Sequence, residues 1–221
     1  MILLPGVLGA DELALIRQVL DLADFEDGKL TAGWAAPLKE NRQLRRTGAP
    51  EEAALDAAVG AALSRHPLFN AAVRPRHLLV PIFSRYEPGM HYGAHVDAAA
   101  MGPDRNVRAD VSITVFLNDP SEYEGGELAI ELPGGVRQVK LPAGDAVAYS
   151  TFAVHQVNPV TSGRRLVAVT WAQSRVRDPQ MREVLFDLHA AGEALGASRP
   201  ESLENRLVQK ATTNLLRLVA E

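Results

Sequence analysis

The segment His95-Val96-Asp97 offers an imidazole and a carboxylate two positions apart. In extended backbone, residues i and i+2 share a face, so both groups can converge on one point. Such a pair arises often by chance, and each residue read alone is a surface or capping group. His155, in the run DAVAYSTFAVHQVNPV, follows one β-like segment and precedes another. On its own it reads as a half-buried strand residue. Arg165 comes ten positions later, beyond Ser162-Gly163. If that turn reverses the chain, Arg165 opens the strand beside the one carrying His155. Alternation then gives that strand an inward face of Arg165, Val167, Val169, Trp171 and Gln173.

The combination is far more specific than its parts. Two imidazoles and one carboxylate on one side of a metal leave positions open for other ligands, the pattern of non-haem iron(II) oxygenases. A 2-oxoacid can fill two of those positions with its carboxylate and keto oxygens, and O₂ the last. Its far carboxylate then needs a planar cation, and an arginine fork suits it. Zinc hydrolysis is less natural, because no separate general base stands out. His91 lies four residues before His95, but Gly89 and Gly93 argue against the helix that a paired-histidine zinc motif needs. His66, His77 and His189 stand alone. Gly125-Gly126 is followed by no Lys-Ser/Thr and opens no helix, so it reads as a hairpin turn and not a phosphate loop.

The elements that must position these groups are legible in outline. From Leu78 to Trp171 the chain carries short β-like runs, LLVPIFSRY, DVSITVFL, GELAIEL, VRQVKL, DAVAYS and RLVAVTWAQ, punctuated by Gly, Pro, Asn and Asp. Many short strands without intervening helices predict an antiparallel sandwich or barrel of the jelly-roll type. Before them, helical spacing covers Asp11 to Phe25 and Glu51 to Ser64, the second beginning after Pro50 and ending at Pro67. After Asp178-Pro179, Met181 to Leu195 and Leu203 to Val219 predict a helical hairpin with a break from Gly196 to Pro200. The division expected is residues 1–177 as the principal domain and 178–221 as a C-terminal helical subdomain. The apolar stripe from Leu203 to Val219 reads as a core or dimer face, which leaves a homo-oligomer open. Lys39, Asn41, Gln43 and Arg45 form an alternating polar stretch that reads first as a solvated strand or loop. The sharper alternative is that it borders a substrate mouth.

Composition removes several classes. The chain has 221 residues and no cysteine, which excludes a thiol nucleophile, a thiolate metal site and disulfides. Its 47% hydrophobic and 23% charged residues are ordinary for a globular protein. A net charge of −4 and a pI of about 5.9 give no footprint for nucleic acid or an anionic membrane. Pro5 and Gly6 interrupt the apolar N-terminus, no basic leader precedes it, and no window approaches a membrane span. The expectation is a soluble, cytoplasmic protein.

The motifs resemble the PKHD-type hydroxylases, relatives of prolyl 4-hydroxylases in the 2-oxoglutarate/Fe(II) dioxygenase superfamily. The resemblance rests on Leu4-Pro5-Gly6, Arg85-Tyr86, Gly89, Tyr92, His95-Val96-Asp97 and Arg108 to Ser112. It continues through Phe116 to Pro120, Tyr123 to Leu128, Val139 to Asp145, His155, Pro159-Val160-Thr161, Gly163, Arg165, Gln173 to Asp178 and Asn214 to Arg217. It implies a mainly β fold with a double-stranded β-helix core, and iron(II) on His95, Asp97 and His155. It also implies 2-oxoglutarate on Arg165, with Tyr86 assisting or simply a core aromatic, and an L-ascorbate requirement. The segment Tyr149 to Val154 lacks an expected proline, and Val111-Ser112-Ile113-Thr114 is a variant strand. Both touch pocket lining and so bear on substrate choice. The activity implied is hydroxylation, using O₂, of a peptidyl-proline-like residue or a small metabolite, with a link to iron homeostasis. The alternative is a catalytically silent sensor or interaction module that binds iron and 2-oxoglutarate.

Overall fold

A computed structural model describes residues 1–221. The alternation along the β-like runs is realised as two antiparallel sheets that share an apolar layer. The larger sheet runs in the order Ile2–Leu4, Ala146–Ser150, Val111–Phe116, Arg165–Ser174, Ile82–Tyr86, Arg42–Leu44 and Phe25–Asp27. Pro75–Leu78 pairs with the far half of the Arg165–Ser174 strand. The smaller sheet runs Gly135–Val139, Leu128–Leu132, His155–Val157, His91–His95 and Lys39–Glu40. Between them, Phe116, Val147, Tyr149 and Val167 of the larger sheet meet Leu128, Ile130, Val139 and Val157 of the smaller.

The other face of the larger sheet is covered by helices. Val111, Ile113, Val115, Ala146, Ala148, Leu166 and Ala168 pack there with Ile16, Leu20, Leu55, Val59, Leu63 and Phe69. Those partners come from α1 (Ala10–Leu22), α2 (Pro50–Arg65) and α3 (Pro67–Val73). In α2, Leu55, Val59, Ala62 and Leu63 recur at helical spacing and are all buried. With both faces covered, every residue of Val111–Phe116 is buried.

Two further helices, α4 (Pro179–Ser198) and α5 (Leu203–Val219), form the C-terminal hairpin, so the whole is a mixed β/α fold. Asp178 caps α4 by accepting from Gln180 N–H and Met181 N–H, and Ser202 caps α5 by accepting from Asn205 N–H. No residue of α5 is fully buried: Val208, Leu215, Leu216 and Val219 are half-buried where the helix packs on α4, while Leu203, Leu207 and Leu218 stay exposed. No helix is long and apolar enough to cross a membrane.

Several expectations are corrected. Pro67 does not only end α2. His66 Nδ1 accepts from Phe69 N–H, and with Pro67 in the first turn the chain restarts as α3. The helix α4 runs through Gly196 to Ser198, so the break is shorter than expected. Gly125-Gly126 is not a hairpin turn. Tyr123–Gly125 pairs with Val160–Gly163 in a small separate sheet, and the chain then crosses to Leu128–Leu132. For the same reason Arg165 does not open the strand beside His155. The Val160–Gly163 strand carries the chain from the smaller sheet to the larger, where Arg165–Ser174 lies between Val111–Phe116 and Ile82–Tyr86.

Candidate metal centre

His95 ends its strand, and His155 begins the neighbouring one directly opposite it. This register places the two imidazoles with ring centroids 4.3 Å apart. Both are oriented by the same device. The Nδ1–H of His95 donates to the Gly93 carbonyl at 2.8 Å, and that of His155 donates to the Ala153 carbonyl at 2.9 Å. Each Nε2 therefore keeps its lone pair free for a ligand. Tyr92 stacks on His95 at 3.7 Å, and Tyr149 meets His155 edge-on at 4.9 Å.

Asp97 lies just beyond the strand, where its N–H donates to the Thr151 carbonyl at 3.3 Å. Its Oδ1 lies 3.8 Å from His155 Nε2, and its Oδ2 is buried without a hydrogen-bond partner. One ligand atom from each of His95, Asp97 and His155 falls within 4.8 Å of the others. Burial, and then the neighbouring His155, push the His95 pKa down to about 4. That imidazole is neutral near pH 7, the form that binds metal. An orphaned carboxylate oxygen and two imidazoles with aimed lone pairs fit a divalent ion with nitrogen and oxygen ligands.

The three groups line a cavity of about 820 Å³ between the sheets. Arg165 enters it from the opposite side. Its Cα registers with that of Tyr86, and its guanidinium lies 5.1 Å from the Tyr86 ring centroid and 5.6 Å from that of Phe116. Arg165 is 1% exposed, yet its Nε and Nη1 have no partner. A buried cation is costly unless paired, and two free guanidinium donors facing a cavity suit a carboxylate. Gly126, at φ +66°, makes room for it, since a Cβ there would meet Arg165 Cδ at 3.0 Å and Val160 Cγ2 at 2.9 Å. Tyr86 is buried and lines the cavity, and burial raises its hydroxyl pKa.

The alternation expected of the Arg165 strand holds for Arg165, Val169 and Trp171, which line the cavity, while Val167 joins the layer between the sheets. Gln173 lies outside the cavity lining. His91 is also outside it, its Nδ1 3.3 Å from the Gly89 carbonyl, and His66 serves as a helix cap. The solvated reading of Lys39, Asn41 and Gln43 is overturned, because all three are 5% exposed or less; Arg45 alone faces water. Sequence reasoning missed Thr31, Leu30 and Trp34, which line the cavity from a short 3₁₀ region. No residue-type signal marked them.

Residues 81–173 match the 2OG-Fe(II) oxygenase superfamily. A PKHD-type hydroxylase of Acaryochloris marina (strain MBIC 11017) is 51% identical over 97% of this chain and 97% of its own length. Another, of Picosynechococcus sp. (strain ATCC 27264 / PCC 7002 / PR-6), is 48% identical over 99% of this chain and 98% of its own. The crystal structure of a Pseudomonas putida prolyl-4-hydroxylase shares the fold at a TM-score of 0.54 and 20% identity, over 79% of this chain and 92% of that one. With a near-full-length match to such relatives and a buried His-Asp-His cluster of the kind the superfamily uses, the chain belongs to the PKHD-type hydroxylases of the 2OG-Fe(II) oxygenase superfamily.

Proposed function

We propose that this protein is an iron(II)- and 2-oxoglutarate-dependent dioxygenase that hydroxylates a small metabolite or a peptidyl-proline-like residue. One observation carries the reading: three metal-ligating side chains converge in the same cavity as a buried arginine with unpartnered donors. His95 and His155 would hold iron through Nε2, and Asp97 through a carboxylate oxygen. Arg165 would bind the far carboxylate of 2-oxoglutarate, with Tyr86 beside it. When bound, iron and 2-oxoglutarate supply O₂ activation, coupled to loss of CO₂ and formation of succinate.

The chain's own residues supply the geometry. The Gly93 and Ala153 carbonyls hold each imidazole in the tautomer that offers Nε2. Tyr92 and Tyr149 pack on the rings, restrict their rotation and keep water from their flanks. The apolar layer between the sheets removes water from the Arg165 side, which strengthens any ion pair made there.

Finer readings follow from the same arrangement. The two facing sheets are taken as the halves of a double-stranded β-helix, with residues 1–177 as the dioxygenase unit and 178–221 as a helical appendage. An L-ascorbate requirement, a cytoplasmic location and a link to iron homeostasis accompany the family reading. The test is succinate release by iron-loaded protein with 2-oxoglutarate, with and without ascorbate. Release that depends on iron and is lost in His155→Ala supports the proposal. Equal release by wild type and His155→Ala contradicts the ligand assignment.

A further inference from the structure

A second buried cation faces the cavity from the other sheet. Lys39 sits on the edge strand of the smaller sheet, opposite Tyr92 in register. It is 5% exposed and lines the cavity, with Nζ 5.0 Å from the Tyr92 ring centroid. The ammonium makes one hydrogen bond, donating to Thr31 Oγ1 at 3.2 Å. The Thr31 hydroxyl in turn donates to Gln43 Oε1 at 2.8 Å, which leaves its oxygen to accept from Lys39. An ammonium carries three donors, so two are unused. No carboxylate lies within 4.0 Å of it, and lysines are rarely this buried without one.

The charges on the lining point to the ligand chemistry that suits Lys39. Asp97 is the one acidic residue lining the cavity. On the reading proposed above, an iron dication, one aspartate, the Arg165 cation and a 2-oxoglutarate dianion sum to zero. Two cations of the lining are left over: Arg105, which is exposed to water, and Lys39, buried on the sheet opposite Arg165 with Asp27 and Asp97 acting on it only from beyond hydrogen-bond reach. The cavity's water-exposed lining is apolar: Leu30 is 73% exposed, Trp34 66% and Val80 64%.

We propose that Lys39 anchors a carboxylate of the primary substrate, an organic acid whose apolar body lies against Leu30, Trp34 and Val80. The inference rests on the dioxygenase reading and narrows its substrate class to small carboxylic acids. In that pose the acid group is held by the smaller sheet, and the carbon skeleton extends between the metal ligands and the mouth. Thr31 and Gln43 act as positioning residues, fixing the ammonium toward the cavity.

The test compares two probes that differ only in charge, 3-phenylpropionate and 3-phenylpropionamide. Calorimetry follows their binding to anaerobic, iron-loaded protein, with and without saturating 2-oxoglutarate. Wild type is expected to bind the acid roughly tenfold tighter than the amide, the range of one charge-assisted hydrogen bond. Lys39→Met should bind both alike, Lys39→Arg should keep most of the preference, and 2-oxoglutarate affinity should change less than about twofold in either variant. Equal binding of acid and amide by wild type overturns the proposal, and that comparison needs no variant to fold. So does a preference that survives in Lys39→Met. Loss of 2-oxoglutarate affinity in Lys39→Met, with the acid preference intact, would assign Lys39 to the co-substrate instead. Failure of 2-oxoglutarate to bind wild type at all would sink the dioxygenase reading separately, while the acid preference is still read without it.

Discussion

The two faces of the larger sheet use the same strands for opposite ends. Toward the helices, Val111, Ile113, Val115, Leu166, Ala168 and Ala172 make a largely apolar face, and the hydroxyls of Thr170 and Ser174 on it donate to the Leu79 and Val73 carbonyls. Toward the smaller sheet, their neighbours in sequence include Ser112, Thr114, Arg165 and Trp171, all on the cavity. On the first face these groups are satisfied by packing or, for the two hydroxyls, by a backbone carbonyl. On the second, Arg165 Nε and Nη1, Ser112 Oγ and Trp171 Nε1 are buried without partners. The difference teaches where stability comes from and where it is given up. A period of two lets one strand serve both roles, and a slip of one residue would exchange them.

Breaking each face in turn should separate the two roles. Asp97→Ala, on the cavity side, removes a metal ligand. Iron affinity should fall by more than about 100-fold, since even groups one layer out from a metal cost 10–100-fold. Thermal stability without metal should hold or rise, because an orphaned buried carboxylate is gone. Ile113→Ala, one layer away on the dry face, should do the reverse. It should cost about 2–5 kcal/mol of stability while the folded fraction keeps its iron stoichiometry. Denaturation curves paired with metal analysis check both; a stability loss in Asp97→Ala matching that of Ile113→Ala would erase the distinction.

Arg165→Met sharpens the contrast at one residue. It should weaken 2-oxoglutarate binding by about 2–3 kcal/mol, as expected for a bidentate charged pair, yet stabilise the protein without 2-oxoglutarate. Titration of 2-oxoglutarate beside thermal melts measures the two effects, and unchanged co-substrate affinity would move the anchor elsewhere.

Lys39 gives a smaller effect with a pH signature. Burial holds its pKa down to about 8, against an ordinary 10.5. Between those values the unfolded chain binds more protons than the native one, so stability rises with pH there. The destabilisation is complete below about pH 8 and fades toward 10.5. Lys39→Met should therefore be more stable than wild type by roughly 1–3 kcal/mol at pH 7, with the gain shrinking as pH climbs. Melts across that window test it, and a gain that grows with pH would contradict the burial argument.

Much of this was legible beforehand. His95, Asp97, His155 and Arg165 stood out by type and spacing, and the alternation of the Arg165 strand named Val169 and Trp171 correctly as cavity residues. What failed were long-range assignments. Nothing local says that the chain after Val157 leaves one sheet for the other, because strand partners are chosen across the whole domain. Lys39, Asn41 and Gln43 were misread for a related reason. An alternating polar stretch looks the same whether it faces bulk water or, as here, is buried, with Lys39 and Gln43 on the cavity and Asn41 beside them off its lining. At His66-Pro67, the helix restart depends on an imidazole cap that a proline rule alone does not register.

The central claim is most directly tested by anaerobic titration of iron(II) and 2-oxoglutarate into wild type, His155→Ala and Arg165→Met, read by the visible charge-transfer band of a keto acid chelated to ferrous iron. Wild type should develop the band with one iron per chain, His155→Ala should not, and Arg165→Met should need a much higher 2-oxoglutarate concentration. A band of full intensity in His155→Ala would mean that iron and the keto acid meet somewhere else.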